Sequence, residues 1–491
     1  YTVMNDLHRF IVESHQFFFG LLALSFCFSV VLDLNKIKTG IGVNKRIIYT
    51  SIIGIIGVGL CFNFYESWQG EGGWFAVQFG LLCAMSLVAP KYAASFFLFI
   101  LLTRPWETFE NDLMQTMPKD IFYLCVLSLA AHKLAKNQLY LRFNWGTVFL
   151  LAFAMWCFFS GFISSHQIEA MVKFKDIFLK GVILFLLLQN CFERKEDLLP
   201  AKLSLVFAIL DLGTISFYST YINSQQTLLS EGVQRLETVG ILGNSNDIAA
   251  ILVLSLPFCF FLFQSLKPRI LSTIASLGLC APIIYLIWNT QSRGALLALF
   301  IGVGGYFFTK VKSKKAILFA LLLSVGMAFG SFSLLNRNQQ DLEGSSSNRM
   351  IYWKAGLNMG IRNPVLGVGF WGFNRNLPNY AIGGNLGSEG EHMTAHSSWV
   401  QVISENGIVG FSFYLGLWLF AIKRSWTQRF KNPEYFVALV GYGVASSFLS
   451  HAYLLYPYIL TALSIGFSYL QEGKSIEQTE AELTGELAWN R

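Results

Sequence analysis

Charge is scarce in this chain. Only 13% of its 491 residues are Asp, Glu, Lys or Arg, against 54% hydrophobic and 16% aromatic, a balance that excludes an ordinary soluble globular protein. Cysteine is missing from the long polar stretches. All eight cysteines (Cys27, Cys61, Cys83, Cys125, Cys157, Cys191, Cys259 and Cys280) fall within or at the ends of apolar runs, so neither a disulfide framework nor a cysteine metal site is implied. No low-complexity tract or inter-domain linker breaks the chain, and no Asp-rich motif stands out in its polar loops to hold a divalent cation. The first apolar run has no basic leader and no small-residue cleavage site, and reads as a span rather than a signal peptide.

What is present instead is a succession of apolar runs long enough to cross a hydrocarbon core. They fall near residues 15–34, 46–64, 73–89, 92–104, 121–135, 144–165, 174–191, 200–219, 246–266, 270–288, 292–309, 316–335, 400–422, 436–451 and 454–470. The run 92–104, set off by Pro90, is short enough for a half-helix or re-entrant piece. The expectation is an all-α polytopic membrane protein of about 12 to 15 transmembrane helices, with one large extracytoplasmic loop containing an amphipathic helix.

The net charge of +7 is explained by its location. Lys36, Lys38, Lys45 and Arg46 fill one connection; Lys133, Lys136 and Arg142 another; Lys267 and Arg269, Lys310 to Lys315, and Lys423 to Lys431 fill three more. They alternate with neutral or acidic connections such as Glu66 to Glu71 and Glu107 to Asp112. The positive-inside rule makes the basic set cytoplasmic. The loop 336–397 is then external, the tail 471–491 internal, and the N-terminus external on this count. The chain divides into N-terminal spans (1–143), a transmembrane core with outer-face arginine motifs (144–335), the external loop (336–397), C-terminal spans (398–470) and the tail.

Several polar groups gather on the outer side. In the connection 220–245, Asn244, Ser245 and Asn246 are helix-start residues, so the following span begins with its orphan amides pointing outward, where they favour an anion. The next external corner carries Arg293 at the start of another span. Arg235 and Arg293 either snorkel to lipid headgroups or grip a lipid phosphate or diphosphate, which a guanidinium meets two-pronged.

Within the large loop, Ser345 to Ser347 are suited to cap a helix in which Met350, Trp353 and Leu357 share a face, ended by Asn363-Pro364. Such a helix lies on the outer membrane surface or packs on the bundle. Gly367-Val-Gly369-Phe-Trp-Gly372 spells G-x-G-x-x-G, but it follows a proline break in an external loop. A tight, close-packed turn is the expectation, not a dinucleotide site. The glycine-rich 380–390 reads as a mobile lid.

His396 stands where this loop re-enters the membrane. It either caps the next helix or accepts a proton at the water–bilayer boundary. Glu391, His392 and His396 form a sparse metal-ligand set, short of a fourth donor. His451, before Tyr456-Pro457, suits core packing or an interfacial role.

These motifs carry a resemblance. Arg235 through Gly243-Asn244-Ser245-Asn246 to Pro257 is similar to the R…G…N-P-N…P pattern of the O-antigen ligase and polymerase superfamily, with Ser245 where proline is common. Ser292-Arg293-Gly294-Ala295 also resembles that family. So does the series Arg349, Trp353, Gly356, Asn363-Pro364, Gly367, Gly369, His396-Ser397, Glu405, Gly407 and Gly410, with Ser397 where asparagine often follows the histidine. The likeness covers roughly residues 170–470.

It implies a GT-C-like glycosyltransferase of the bacterial inner membrane, working at the periplasmic face without metal or cofactor. The donor would be an undecaprenyl-diphosphate-linked glycan and the acceptor a hydroxyl of a glycan, lipid or protein, attacked with inversion; membrane lipids are partners and nucleic acid is not. Carried over, His396 is the base or acceptor-orienting residue and Arg235 and Arg293 hold the leaving diphosphate. Arg349, Trp353, Glu405, Asn244 and Asn246 stand behind them. Ligase, repeat-unit polymerase and protein O-oligosaccharyltransferase share this donor chemistry. A transporter or assembly subunit on the same scaffold is the alternative of another class.

Overall fold

The computed structural model describes residues 2–36, 73–107, 112–135, 141–222, 236, 244–264, 268–310, 313–332, 339–381 and 393–470. Among these residues the regular structure is helical. The run read at 46–64, residues 382–390 of the lid, the tail 471–491, Glu391, His392, Cys61 and Arg235 lie outside the described residues.

The chain is an all-α polytopic membrane protein. Among the described residues, five helices are each long and apolar enough to cross a membrane: Leu7–Cys27, Trp145–Ile163, Leu198–Tyr221, Arg269–Asn289 and Ser398–Thr427. Shorter apolar helices include Gln78–Val88, Ser245–Phe261, Arg293–Phe307 and Leu455–Leu470. The apolar faces left outside the packing match a lipid solvent. Met155 and Phe162 on one helix, and Ile270, Ile274 and Leu277 on another, are exposed, as expected where hydrocarbon replaces water.

Two compact units form, one from residues 1–141 and 190–244, the other from 142–189 and 245–491. The first holds α1 (Thr2–Lys36), α2 (Gly73–Val88), α3 (Pro90–Thr103), α4 (Asp112–Ala135) and, from later in the chain, a helix at Leu198–Phe217. The run expected near 92–104 is a helix of 14 residues with Pro90 at its first turn, where the missing N–H costs nothing. Most of its side chains are buried, so this short element is an inner member of the unit. Ser14 and His15 of α1 both bond the buried Asp211, at 2.6 Å each, and so join two apolar helices by a satisfied polar cluster.

The second unit opens with α5 (Trp145–Ile163), started by Asn144, whose side chain accepts from the Thr147 N–H. Then come α6 (Gln167–Lys173) and, through a π-turn at Phe174–Phe178, α7 (Leu179–Cys191). With α8 given to Leu198–Phe217, the unit continues with α9 (Ser245–Phe261), α10 (Arg269–Asn289), α11 (Arg293–Lys310) and α12 (Lys314–Phe332). The helices α13 (Gln339–Arg362) and α14 (Phe373–Tyr380) follow, then α15 (Ser398–Thr427), α16 (Pro433–Ala445) and α17 (Leu455–Leu470).

Two details of the loop differ from the sequence reading. The helix before Asn363 begins at Gln339 and passes through Ser345 to Ser347 instead of starting there. The glutamines, leucine and glutamate upstream favour helix enough to carry it past the serines. The helix also packs by another face. Tyr352, Ala355 and Met359 are buried with Phe373, Leu377 and Ala395, whereas Met350 and Leu357 are exposed. The helix is therefore docked on the protein, and of the predicted apolar face Met350 and Leu357 point outward while Trp353 is partly buried.

The G-x-G-x-x-G segment is the close-packed turn its glycines predict. Gly367 and Gly369 have φ of 65° and 97°, a region open to glycine without steric cost. Helix α15 is broken opposite it, at Gly407, where φ is 64° and ψ −168°. The break frees the carbonyls of Ser404 and Glu405, which accept from the N–H groups of Val368 and Gly369 at 2.9 and 3.1 Å, while Ile408 N–H donates to Pro364 at 2.7 Å. Two stretches of irregular backbone thus satisfy one another inside the protein, the condition for such backbone within a membrane protein. Ser160 of α5 locks the joint, donating to the carbonyls of Leu366 and Glu405.

Candidate active site

This joint fixes where His396 sits. Residues 393–397 run between α14 and α15, and Ser397, not His396, caps α15 by accepting from the Val400 N–H. The capping role read as one alternative for His396 therefore falls to its neighbour, because a capping hydroxyl one residue later already meets the orphan amide. His396 itself has a φ of 46°, a left-handed conformation that non-glycine residues rarely adopt. It is partly exposed. Its backbone carbonyl accepts from the Trp353 indole N–H at 3.4 Å, and its ring lies 6.0 Å from that of Tyr352. Helix α13 thus holds the histidine at two points.

Two charges act on the imidazole. Burial, with help from Arg349, pushes its pKa below the ordinary value, and Asp247 opposes them. The histidine is therefore biased toward the neutral form at neutral pH, which is the form that accepts a proton. Arg349 lies on α13 one turn before Trp353.

The other motifs gather nearby. Helix α9 begins at Ser245, directly after Asn244, as the helix-start residues predict. Helix α11 begins at Arg293. Asn246 at the first of these ends and Ser292 and Gly294 at the second line one pocket, together with Phe448. The ring of Phe448 is 6.1 Å from that of Trp353, and a β-carbon on Gly294 would come within 3.0 Å of it. A chain of contacts thus joins the two helix starts to the residue that holds His396. Two helix N-termini beside one pocket bring partial positive charge to it, and at the second Ser292 already accepts from the Ala295 N–H.

Glu405 lies elsewhere. It is buried, and its Oε1 accepts from the Phe373 N–H at 3.0 Å, so its visible work is to bind the start of α14 to the joint at Gly407. Among the described residues no three His, Cys, Asp or Glu side chains cluster as metal ligands.

Sequence reasoning did not single out Asp247 or Tyr442. His451, expected in core packing or an interfacial role, is buried and sits between them, with Asp247 at 2.9 Å from its Nε2 and the Tyr442 hydroxyl at 3.0 Å from its Nδ1. The available signal was the position of Asp247, one residue beyond Asn246 in the first turn of a span.

Residues 279–415 match the family model described as O-Antigen ligase. The match contains Arg293, Arg349, Trp353, His396 and Glu405. The chain is 27% identical over 167 residues to a teichuronic acid biosynthesis protein of Bacillus subtilis, 32% of this chain and 34% of that one. It is 24% identical over 306 residues to a protein of Rickettsia typhi named as a candidate polysaccharide ligase, 57% of this chain and 71% of that one. The chain thus spans about a third of the first relative's length and most of the second's.

Proposed function

We propose that this chain, whose residues 279–415 form an O-antigen ligase domain, is a glycosyltransferase that moves a polyprenyl-diphosphate-linked glycan onto an acceptor hydroxyl. The observation that carries the reading is the meeting of motif residues from distant parts of the chain. Asn246 at the start of α9 and Ser292 and Gly294 at the start of α11 line one small pocket that reaches Trp353 through Phe448, and Trp353 holds His396. In this reading the acceptor oxygen attacks the anomeric carbon and its proton passes to neutral His396. The bond from that carbon to the phosphate oxygen breaks, and the configuration inverts. Arg293 takes up the charge that builds on the departing diphosphate. Undecaprenyl diphosphate is the expected lipid, and the bacterial inner membrane the expected place.

The side of the membrane follows from charge. In the second unit, Lys423, Arg424, Arg429 and Lys431 lie at the far end of α15 from His396. The positive-inside rule makes that end cytoplasmic and the site extracytoplasmic.

The test is transfer by purified protein in lipid, using a fluorescent undecaprenyl-diphosphate glycan. Wild type is expected to turn over the donor, and His396→Ala, with insertion and folding intact, to lose turnover by at least about a hundredfold. Near-wild-type turnover by His396→Ala would remove the base. A protein that moved the lipid-linked donor across vesicles without cleaving it would be a transporter. Acceptor choice separates the members of the class: a lengthened lipid-linked glycan marks a polymerase, a glycan on a second lipid or protein marks a ligase.

A further inference from the structure

Beyond the histidine and arginines, one hydrogen-bonded row in the second unit has no part in the reading so far. It runs from Tyr442 on α16, through His451, to Asp247 in the first turn of α9. Tyr442 and His451 are buried, while the Asp247 side chain keeps 26% of its surface open. The carboxylate accepts, so His451 donates from Nε2; with one proton on the ring, Nδ1 is the acceptor for the Tyr442 O–H. The ring of Tyr456 lies 5.5 Å from that of His451 and closes its other side.

The row is tied to the segment of His396 by the Ser398 hydroxyl. Ser398, two residues after His396, accepts from the His451 N–H at 3.0 Å and donates to the Leu449 carbonyl at 2.7 Å. Asp247 is one of the two charges that act on the His396 imidazole; the other is Arg349, and Tyr352 is the further titratable group against the ring. A buried histidine and tyrosine are more than is needed to satisfy one half-open carboxylate that water would solvate. What they add is a fixed direction for its charge.

We propose that Asp247 is a positioning residue for the transfer, its carboxylate held by the His451–Tyr442 row so that it stabilises the imidazolium formed when His396 takes the acceptor proton. This rests on the glycosyltransferase reading. Arg349 keeps the histidine neutral before the reaction, and Asp247 favours it once charged. The proton leaves the acceptor hydroxyl and resides on His396, and Asp247 stays ionised throughout.

The test titrates His396 directly, through the pH dependence of its imidazole C2-proton exchange followed by mass spectrometry, on the full chain in lipid. In Asp247→Asn the midpoint of His396 is expected to move to lower pH, and in Asp247→Glu to return toward wild type. Transfer by Asp247→Asn should lose about tenfold or more in kcat with little change in KM for the donor, because a weaker base slows the proton step. If Asp247→Asn does not fold, His451→Gln replaces it. There the charge remains but its direction is lost, and the midpoint is again expected to fall. An unmoved midpoint in the folded variant overturns the proposal even if transfer is lost, since Asp247 would then act through structure or on the substrate. A moved midpoint in a protein that cleaves no donor would instead count against the glycosyltransferase reading.

Discussion

Gly367 and Gly407 lie against each other's backbone. A β-carbon on Gly367 would fall 2.4 Å from the Glu405 carbonyl carbon, and one on Gly407 would fall 2.4 Å from the Val365 carbonyl oxygen. Neither obstacle is a side chain able to swing aside. Both glycines also have positive φ. The turn after Pro364 and the break in α15 therefore form one joint, and the position of residues 393–397 depends on it.

Gly407→Ala should accordingly destabilise the second unit by about 2 kcal/mol or more, the sum of left-handed strain and displaced backbone. Gly326→Ala, where a β-carbon meets open space, is the control and should leave the protein unchanged or slightly more stable. Thermal unfolding in detergent or lipid distinguishes them. Equal melting temperatures would show that the joint is not needed.

Arg293→Lys should retain charge and still lose transfer, by about tenfold or more, because an ammonium cannot make the two-pronged contact to a diphosphate. Arg293→Ala should lose about a hundredfold or more. A lysine variant with wild-type kcat would mean that Arg293 contributes only bulk positive charge.

The acid limb of transfer should follow His396. Burial and Arg349 lower its pKa, so the base is neutral, and active, down to a pH below the ordinary histidine value. Activity then falls as pH drops through that lowered pKa. Arg349→Gln removes a positive neighbour, so the limb should move to higher pH. The stability sign agrees. A histidine whose folded pKa is depressed resists protonation, so its contribution is lost as pH falls below the unfolded value. A rate–pH profile of both proteins is the measurement, and a limb that moves down in Arg349→Gln would reverse the assignment.

Transfer should also persist in EDTA, and Mg²⁺ or Mn²⁺ should not restore an activity lost by mutation. In the proposed reaction Arg293 brings positive charge to the diphosphate, the service a cation would otherwise render. Loss on chelation, recovered with one specific metal, would return His396 to the metal-ligand set with Glu391 and His392.

Much of this protein is local in origin, and local features are legible in sequence. Apolar runs became helices because a segment without water must satisfy its own backbone. The start of α9 at Ser245 and the end of α13 before Asn363-Pro364 were readable because capping residues and proline act within a turn of themselves. The positive φ of Gly367 followed from the residue type. Partners distant in the chain were not legible in this way. Nothing local tells that Gly407 would break a long apolar helix to receive a turn some forty positions earlier. Nor does it tell that α13 would bury Tyr352 rather than Met350, since both lie on apolar arcs and only the neighbour decides. Asp247 and His451 are 204 positions apart, and each alone looks like an ordinary polar residue near a span end. The sequence by itself determined most of the helices, several of their ends and the residue types that stand at those ends. Tertiary packing decided which of those residues meet, because a charge influences a histidine through space and not along the chain.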